Sequence, residues 1–238
     1  MPRFDVIAFD ADDTLWHNER YYHHAQDEFK RLMLPYANAA QVEETLYTTE
    51  VANLPTLGFG IKAFILSMIE TAVSLTNGRI SGTEIQNILD LSKTMLPAKM
   101  ELFDHVANVI DQLSQTYPLM IITKGDLLDQ ELKIERSGIA AYFQYAEIVS
   151  HKNVAAYGAL LERHQIQPER VLMVGNSLRS DIRPLLDLGA AAVYIPNTLT
   201  WTHETAVARP VTNPNFYEIE HIGLLPDLLA ELTAPAIK

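Results

Sequence analysis

The sequence predicts an α/β protein: a parallel sheet with helices on both faces, interrupted after its first strand by an inserted all-helical domain. Three observations carry this. Beyond residue 98, short apolar runs alternate with helical stretches of about 10–13 residues, the rhythm of right-handed β–α–β units. Residues 17–97 instead repeat apolar side chains at helical spacing and hold no convincing strand. The apolar runs end abruptly in polar clusters, as buried strands do where they reach the rim of an open sheet.

The elements follow in order. Val6-Ile7-Ala8-Phe9 is the first buried strand. Tyr22, Ala25, Phe29 and Leu32 then mark a helical face, and the segment 59–75 is apolar around much of its circumference. Turn signals at Pro35, Asn53-Leu54-Pro55, Asn77-Gly78 and Pro97 divide 17–97 into about four helices. A helix over about 101–115 leads to a strand at 119–122, and a helix over about 127–137 stops at Gly138. A strand at 146–149, a helix at 153–164 and a strand at 171–174 come next. Pro184 cannot lie deep in a helix, so the one ending at Gly189 is expected to begin near Ser180 or Asp181. A strand at 192–195, a tail with Pro210, Pro214 and Pro226, and a last helix near 224–232 complete the chain. The expected domains are an α/β core from 1–16 and 98–238, and a helical domain from 17–97.

Composition limits the function. The 238 residues are 48% hydrophobic and 20% charged, which excludes a mainly disordered chain. A net charge of −12 repels phosphate backbones and anionic lipid, so neither nucleic acid nor membrane is an expected partner. With no cysteine, disulfides, zinc ribbons and thiol nucleophiles are excluded together. The apolar window 61–75 is interrupted by Lys62 and Glu70 and is too short to span a bilayer, and Asp5 and Asp10 interrupt any leader-like run. A cytoplasmic protein is expected; the sequence leaves its oligomeric state open.

Ligands of open parallel sheets bind beyond the C-terminal ends of the strands. There this chain places Asp10-Ala11-Asp12-Asp13-Thr14, Thr123-Lys124-Gly125-Asp126, Ser150-His151-Lys152-Asn153, and Gly175-Asn176-Ser177 followed by Asp181. Thr123, Lys152 and Asp181 are spaced 29 residues apart, about one β–α repeat each, which brings them to one rim.

In these residues the sequence resembles the haloacid dehalogenase superfamily, whose Rossmann-like core carries four motifs in this order. Asp10 to Thr14 is similar to its DxDxT motif, Thr123 to the second-motif threonine, and Lys152 to the third-motif lysine. Gly175-Asn176-Ser177 through Asp181 is similar to the fourth, metal-binding motif. The helical insertion resembles the C1 cap. The resemblance implies an α/β hydrolase with a helical cap and bound Mg²⁺.

The residue chemistry agrees with a phosphatase. Asp10 can accept a phosphoryl group and pass it to water. Asp12, two residues on, can protonate a leaving alkoxide and later deprotonate the attacking water. A halide needs no proton, so Asp12 argues against a dehalogenase, and the family's dehalogenases lack an aspartate there. Thr123 and Lys152 are expected to hold phosphoryl oxygens, with Lys124 as a second candidate. Mg²⁺ suits an oxygen-only set of Asp10, the Asp12 carbonyl, Asp181 and Asn176. The family's fourth motif has an aspartate where this chain has Asn176, which keeps a carbonyl ligand and removes a charge, so weaker metal binding is expected. The expected substrate is a small phosphorylated metabolite. A catalytically quiet binding or regulatory protein is the alternative, with a dehalogenase or a phosphomutase behind it.

Other residues take plainer readings. Asp13 is a turn residue, and His17, His23 and His24 are packing or surface groups, since no acid partners them at zinc-ligand spacing. Trp16 either lines the pocket or braces the domain joint. In Gly58-Phe59-Gly60-Ile61-Lys62, the glycines allow a loop that closes over a site, and Lys62 is either a reader of an anionic substrate or a solvated lysine.

Overall fold

The computed structural model describes residues 3–96, 99–199, 201, 204 and 211–233. The chain divides into two compact units: Met1–His17 with Met100–Lys124 and Ile134–Lys238, and Asn18–Lys99 with Gly125–Lys133.

The first unit is built on six strands: β1 (Val6–Phe9), β2 (Leu119–Lys124), β3 (Tyr145–Val149), β4 (Val171–Gly175), β5 (Ala191–Tyr194) and β6 (Phe216–Glu218). Their spatial order is β3-β2-β1-β4-β5-β6, and all neighbours are parallel. The chain winds outward from β1 to β3, then crosses to the other side of β1 and winds outward again. β1 therefore sits at the reversal point of the winding, where open α/β sheets leave a crevice beyond the strand ends.

Alternate residues of the central strands enter two different cores, as the strand period of two requires. Ile7, Phe9, Ile121, Leu172 and Val174 pack on one face with Val109 and Ile110 of α5 (Val106–Ser114) and Leu225 and Leu229 of the last helix, Leu225–Thr233. Val6, Ala8, Met120, Ile122 and Met173 pack on the other with Tyr157, Leu160 and Leu161 of α7 (Val154–Arg163). Burial on both faces explains why these strands read as unbroken apolar runs.

The second unit contains α1 (Glu19–Met33), α2 (Ala39–Leu57), α3 (Ile61–Leu75) and α4 (Gly82–Met95), four helices as the periodicity predicts. Phe29, Met33, Val42, Leu46, Phe64, Met68, Ile88 and Met95 form its core. Asn38 with Gln41, and Ser81 with Glu84, make reciprocal capping boxes that fix where α2 and α4 begin.

Several boundaries differ from the sequence reading. α2 runs through Asn53-Leu54-Pro55 and ends at Gly58, whose amide reaches Leu54 O at φ +72. Pro55 deletes one helical bond near the helix end, and the left-handed glycine is what stops the helix. α5 starts at Val106, not near 101, because His105 takes φ +70 and cannot continue a helix inward. β6, three residues at the sheet edge, lies where the sequence reads only a tail. Pro97 and Pro210 lie outside the described residues. No helix among the described residues is long and apolar enough to cross a membrane.

Candidate active site

β1 delivers Asp10 to the rim, and Asp10 N donating to Val174 O at 2.9 Å keeps it in register with β4. The chain then turns tightly, with Leu15 N donating to Ala11 O and Asp13 at φ +62. The turn brings Thr14 back so that its hydroxyl donates to Asp10 Oδ2 at 2.8 Å. Asp13 is thus a turn residue.

Lys152 follows β3, just before Asn153, whose side chain caps α7 by accepting from Ala156 N. The Lys152 ammonium donates to Asp10 Oδ1 at 2.5 Å and to Asp181 Oδ1 at 2.7 Å. All three side chains are buried. Burial and the facing Asp181 carboxylate raise Asp10 to about 7, outweighing the attraction of Lys152 and the Thr14 hydrogen bond. Burial pushes the Lys152 ammonium down, but Asp10 and Asp181 together hold it well above the ordinary lysine range. One ammonium shared by two carboxylates keeps its own proton and leaves the pair short of positive charge.

Asp181 reaches the rim through an unusual turn. Ser177 caps it, and residues Leu178–Ile182 form a wide helical turn, with Ile182 N reaching Ser177 O, before α8 (Arg183–Asp187) begins. Pro184 sits in the first turn of α8, so the helical stretch starts a little earlier than the proline argument places it. The amide that proline lacks leaves Ser180 O short of a donor, and Tyr157 Oη donates to that oxygen at 3.1 Å. Asp181 Oδ2 accepts from Ser177 N at 2.9 Å. Gly175 permits the approach: a Cβ there would lie 2.5 Å from Asp181 Cβ. Asn176 Oδ1 lies 3.4 Å from Thr14 Oγ1.

The other sequence candidates take varied places. Asp12 is partly exposed, and its Oδ1 accepts from Trp16 Nε1 at 2.8 Å. Trp16 is fully buried in the core of its unit, so it holds Asp12 from beneath. Thr123 is buried at the end of β2. Lys124 donates to Ser180 Oγ at 3.0 Å and is ion-paired with Glu204. Lys62 belongs to the helical unit, paired with Asp126 and lying 3.6 Å from Asp129 Oδ1. Asp10, Asn176, Lys152 and Asp181 are thus linked through direct side-chain neighbours, whereas Lys124 is engaged by Glu204.

Sequence reasoning misses Glu204 and Tyr157. Glu204 is a lone acid in a proline-bearing tail, with no periodicity or motif to single it out, and Tyr157 reads as an ordinary core aromatic of a helix. The only signal for Tyr157 is Pro184, whose missing amide asks for a substitute donor.

The donor set can be tested against a metal ion. No group of three His, Cys, Asp or Glu fit to hold a metal occurs among the described residues. Two facing carboxylates, Asp10 and Asp181, with the amide oxygen of Asn176 nearby, make an all-oxygen set. Mg²⁺ is commonly held by one or two carboxylates, with water and substrate oxygens completing its shell. Burial first, and the Asp181 carboxylate second, raise Asp10, and a cation beside the two carboxylates offsets both, so the residues fit a hard divalent ion.

Residues 4–189 match the family model described as haloacid dehalogenase-like hydrolase. A solved haloacid dehalogenase-like family hydrolase from Xanthomonas campestris superposes with a TM-score of 0.85 at 33% identity, over 97% of this chain and 92% of that one. A 2-haloacid dehalogenase from Pseudomonas syringae pv. Tomato DC3000 shares the fold, with a TM-score of 0.64 at 20% identity over 96% and 99% of the two chains. The glyceraldehyde 3-phosphate phosphatase of Methanothermobacter thermautotrophicus is 31% identical over 101 residues. That match spans 40% of this chain and 44% of the phosphatase, less than half of each. With the acids at the ends of β1 and β4 and the family model matching residues 4–189, the chain belongs to the haloacid dehalogenase-like hydrolases.

Proposed function

We propose that the protein is a Mg²⁺-dependent phosphatase that hydrolyses a small phosphate monoester through a phospho-aspartate on Asp10. The observation that carries this reading is Asp12, a carboxyl two residues past Asp10 and oriented by the Trp16 indole at 2.8 Å. Displacing a halide needs no proton donor; expelling an alkoxide does.

In this reading an Asp10 oxygen attacks phosphorus while Asp12 delivers its proton to the departing alkoxide oxygen. Thr14 donates to Asp10 Oδ2 and Lys152 to Oδ1, so the oxygen that attacks gives up one of these two hydrogen bonds. Asp12, now a carboxylate, takes a proton from water as the water attacks phosphorus, and Asp10 is released with inorganic phosphate. Lys152 and Thr123 hold phosphoryl oxygens as charge shifts onto them. Asp10, Asp181, Asn176 and the Asp12 carbonyl would hold Mg²⁺, which would supply positive charge for an anionic ester approaching two carboxylates. The helical unit takes the role of the C1 cap, with Lys62 as its candidate reader of an anionic group. The partial match to a phosphatase of a three-carbon phosphate supports the same class of substrate.

The test is phosphate release from a panel of phosphate monoesters, triose phosphates and phosphoglycolate among them, with Mg²⁺ and with chelator. Turnover that needs Mg²⁺ and vanishes in Asp10→Asn is the expected result. Silence across the panel from folded, Mg²⁺-saturated protein would favour the quiet binding protein, whose support is Asn176.

A further inference from the structure

Glu204 comes from the tail, yet its carboxylate ends among the residues that carry the fourth motif. Its Oε2 accepts from Ser177 Oγ at 2.6 Å and from Ser180 Oγ at 2.7 Å, and Oε1 is paired with the Lys124 ammonium. Ser177 Oγ in turn accepts from Ser180 N at 3.0 Å, and Ser180 Oγ accepts from Lys124 at 3.0 Å. One carboxylate therefore ties together both ends of the turn between Asn176 and Asp181 and the residue after Thr123. Burial pushes the Glu204 carboxyl up, but Lys124 and the two hydroxyls outweigh it and hold it at about 2, so it is ionised.

The charges explain why such a group belongs there. At the rim Asp10 and Asp181 share the Lys152 ammonium, and Glu204 is paired with the Lys124 ammonium. Without Glu204 the Lys124 ammonium, which donates to Ser180 next to Asp181, would lose the carboxylate it is paired with. Asn176, next to Ser177, brings no charge of its own.

We propose that Glu204 is a positioning residue of this site: it neutralises Lys124 and fixes the 176–181 turn, so that the rim keeps the net negative charge that Asn176 does not supply. The metal arm of this proposal rests on the phosphatase reading; the turn-fixing arm does not.

The test titrates Mg²⁺ by calorimetry, without substrate, into native protein, Glu204→Gln, Lys124→Met and the double variant. Glutamine keeps the shape and an acceptor oxygen and removes only the charge. The expected result is Mg²⁺ binding weakened about fivefold or more in Glu204→Gln and restored to within about twofold of native in the double variant. Unchanged affinity in Glu204→Gln, or a loss that the double variant does not recover, overturns the proposal. If the native protein takes up no Mg²⁺, the phosphatase reading fails, and amide hydrogen exchange over 175–182 decides the positioning role. Faster exchange in Glu204→Gln that Lys124→Met reverses supports it; unchanged exchange overturns it.

Discussion

Lys152 donates to Asp10 Oδ1 at 2.5 Å, although 142 positions separate the two residues and their strands are not neighbours in the sheet. β2 lies between β3, which carries Lys152, and β1, which carries Asp10. A long, unbranched side chain is needed to cross that gap, and its charge is needed at the end of the reach, since the same nitrogen also serves Asp181. Removing one partner of a buried ion pair leaves the others uncompensated in a low-dielectric site.

Lys152→Met is therefore expected to lower stability by about 3 kcal/mol at pH 8, read by urea unfolding, and to abolish turnover. Lys152→Met/Asp10→Asn, which also removes one of the stranded carboxylates, should recover a large part of that stability while remaining inactive. A double variant no more stable than the single would show that the lysine contributes by packing its stem and not by charge.

A second prediction concerns Trp16 and Asp12. The indole N–H donates to the Asp12 carboxyl, and phenylalanine keeps most of the buried ring while removing that donor. Trp16→Phe should lower kcat about tenfold with KM nearly unchanged, because a misaligned proton donor weakens the transition state and not substrate binding. Equal kcat in variant and native enzyme would remove Trp16 from any part in orienting Asp12.

Much of the site is legible in the sequence because it follows from strand ends. An apolar run that stops in acids places those acids at the rim, and a repeat of 29 residues returns the chain to the same rim. The helix Leu127–Arg136 shows where such reading stops. It buries Asp129, Gln130 and Lys133 and leaves Leu127 and Leu128 exposed, the reverse of an amphipathic helix. The cause is non-local: Asp129 Oδ2 accepts from Ile61 N at 3.3 Å, and Lys133 donates to Asn18 Oδ1 at 2.7 Å. Partners far along the chain decide which side of this helix is inside, and no local pattern carries them. Glu204 escapes for the same reason.

Glu50 provides a pH test away from the rim. It lies in α2 with no hydrogen-bond or ion-pair partner among the described residues, and burial raises it to about 8. Its native form holds a proton that the unfolded chain releases from about pH 4.5 upward. Its contribution to stability is thus fully present below that pH and is lost as pH rises through about 8. Glu50→Gln should match the native protein at pH 4.5 and exceed it in stability at pH 9, by on the order of 2 kcal/mol, in urea unfolding. A difference independent of pH would mean that the carboxyl is ionised in the folded protein.

The last prediction concerns Asn176, whose amide oxygen lies near Thr14, the residue that donates to Asp10. Asn176→Asp places a third carboxylate in the Asp10–Asp181 neighbourhood, where one buried ammonium already serves two. Without a cation the added charge raises repulsion that burial cannot screen, so the melting temperature in chelator should fall below that of native protein. With Mg²⁺ the same charge adds attraction for the ion, and affinity should rise about tenfold, so that saturating Mg²⁺ stabilises the variant more than the native chain. The two shifts have opposite signs, which separates this outcome from a packing defect, since a defect lowers stability with and without metal alike. Equal Mg²⁺-induced shifts in both proteins would place residue 176 outside the reach of the bound ion and confine the cation to Asp10 and Asp181.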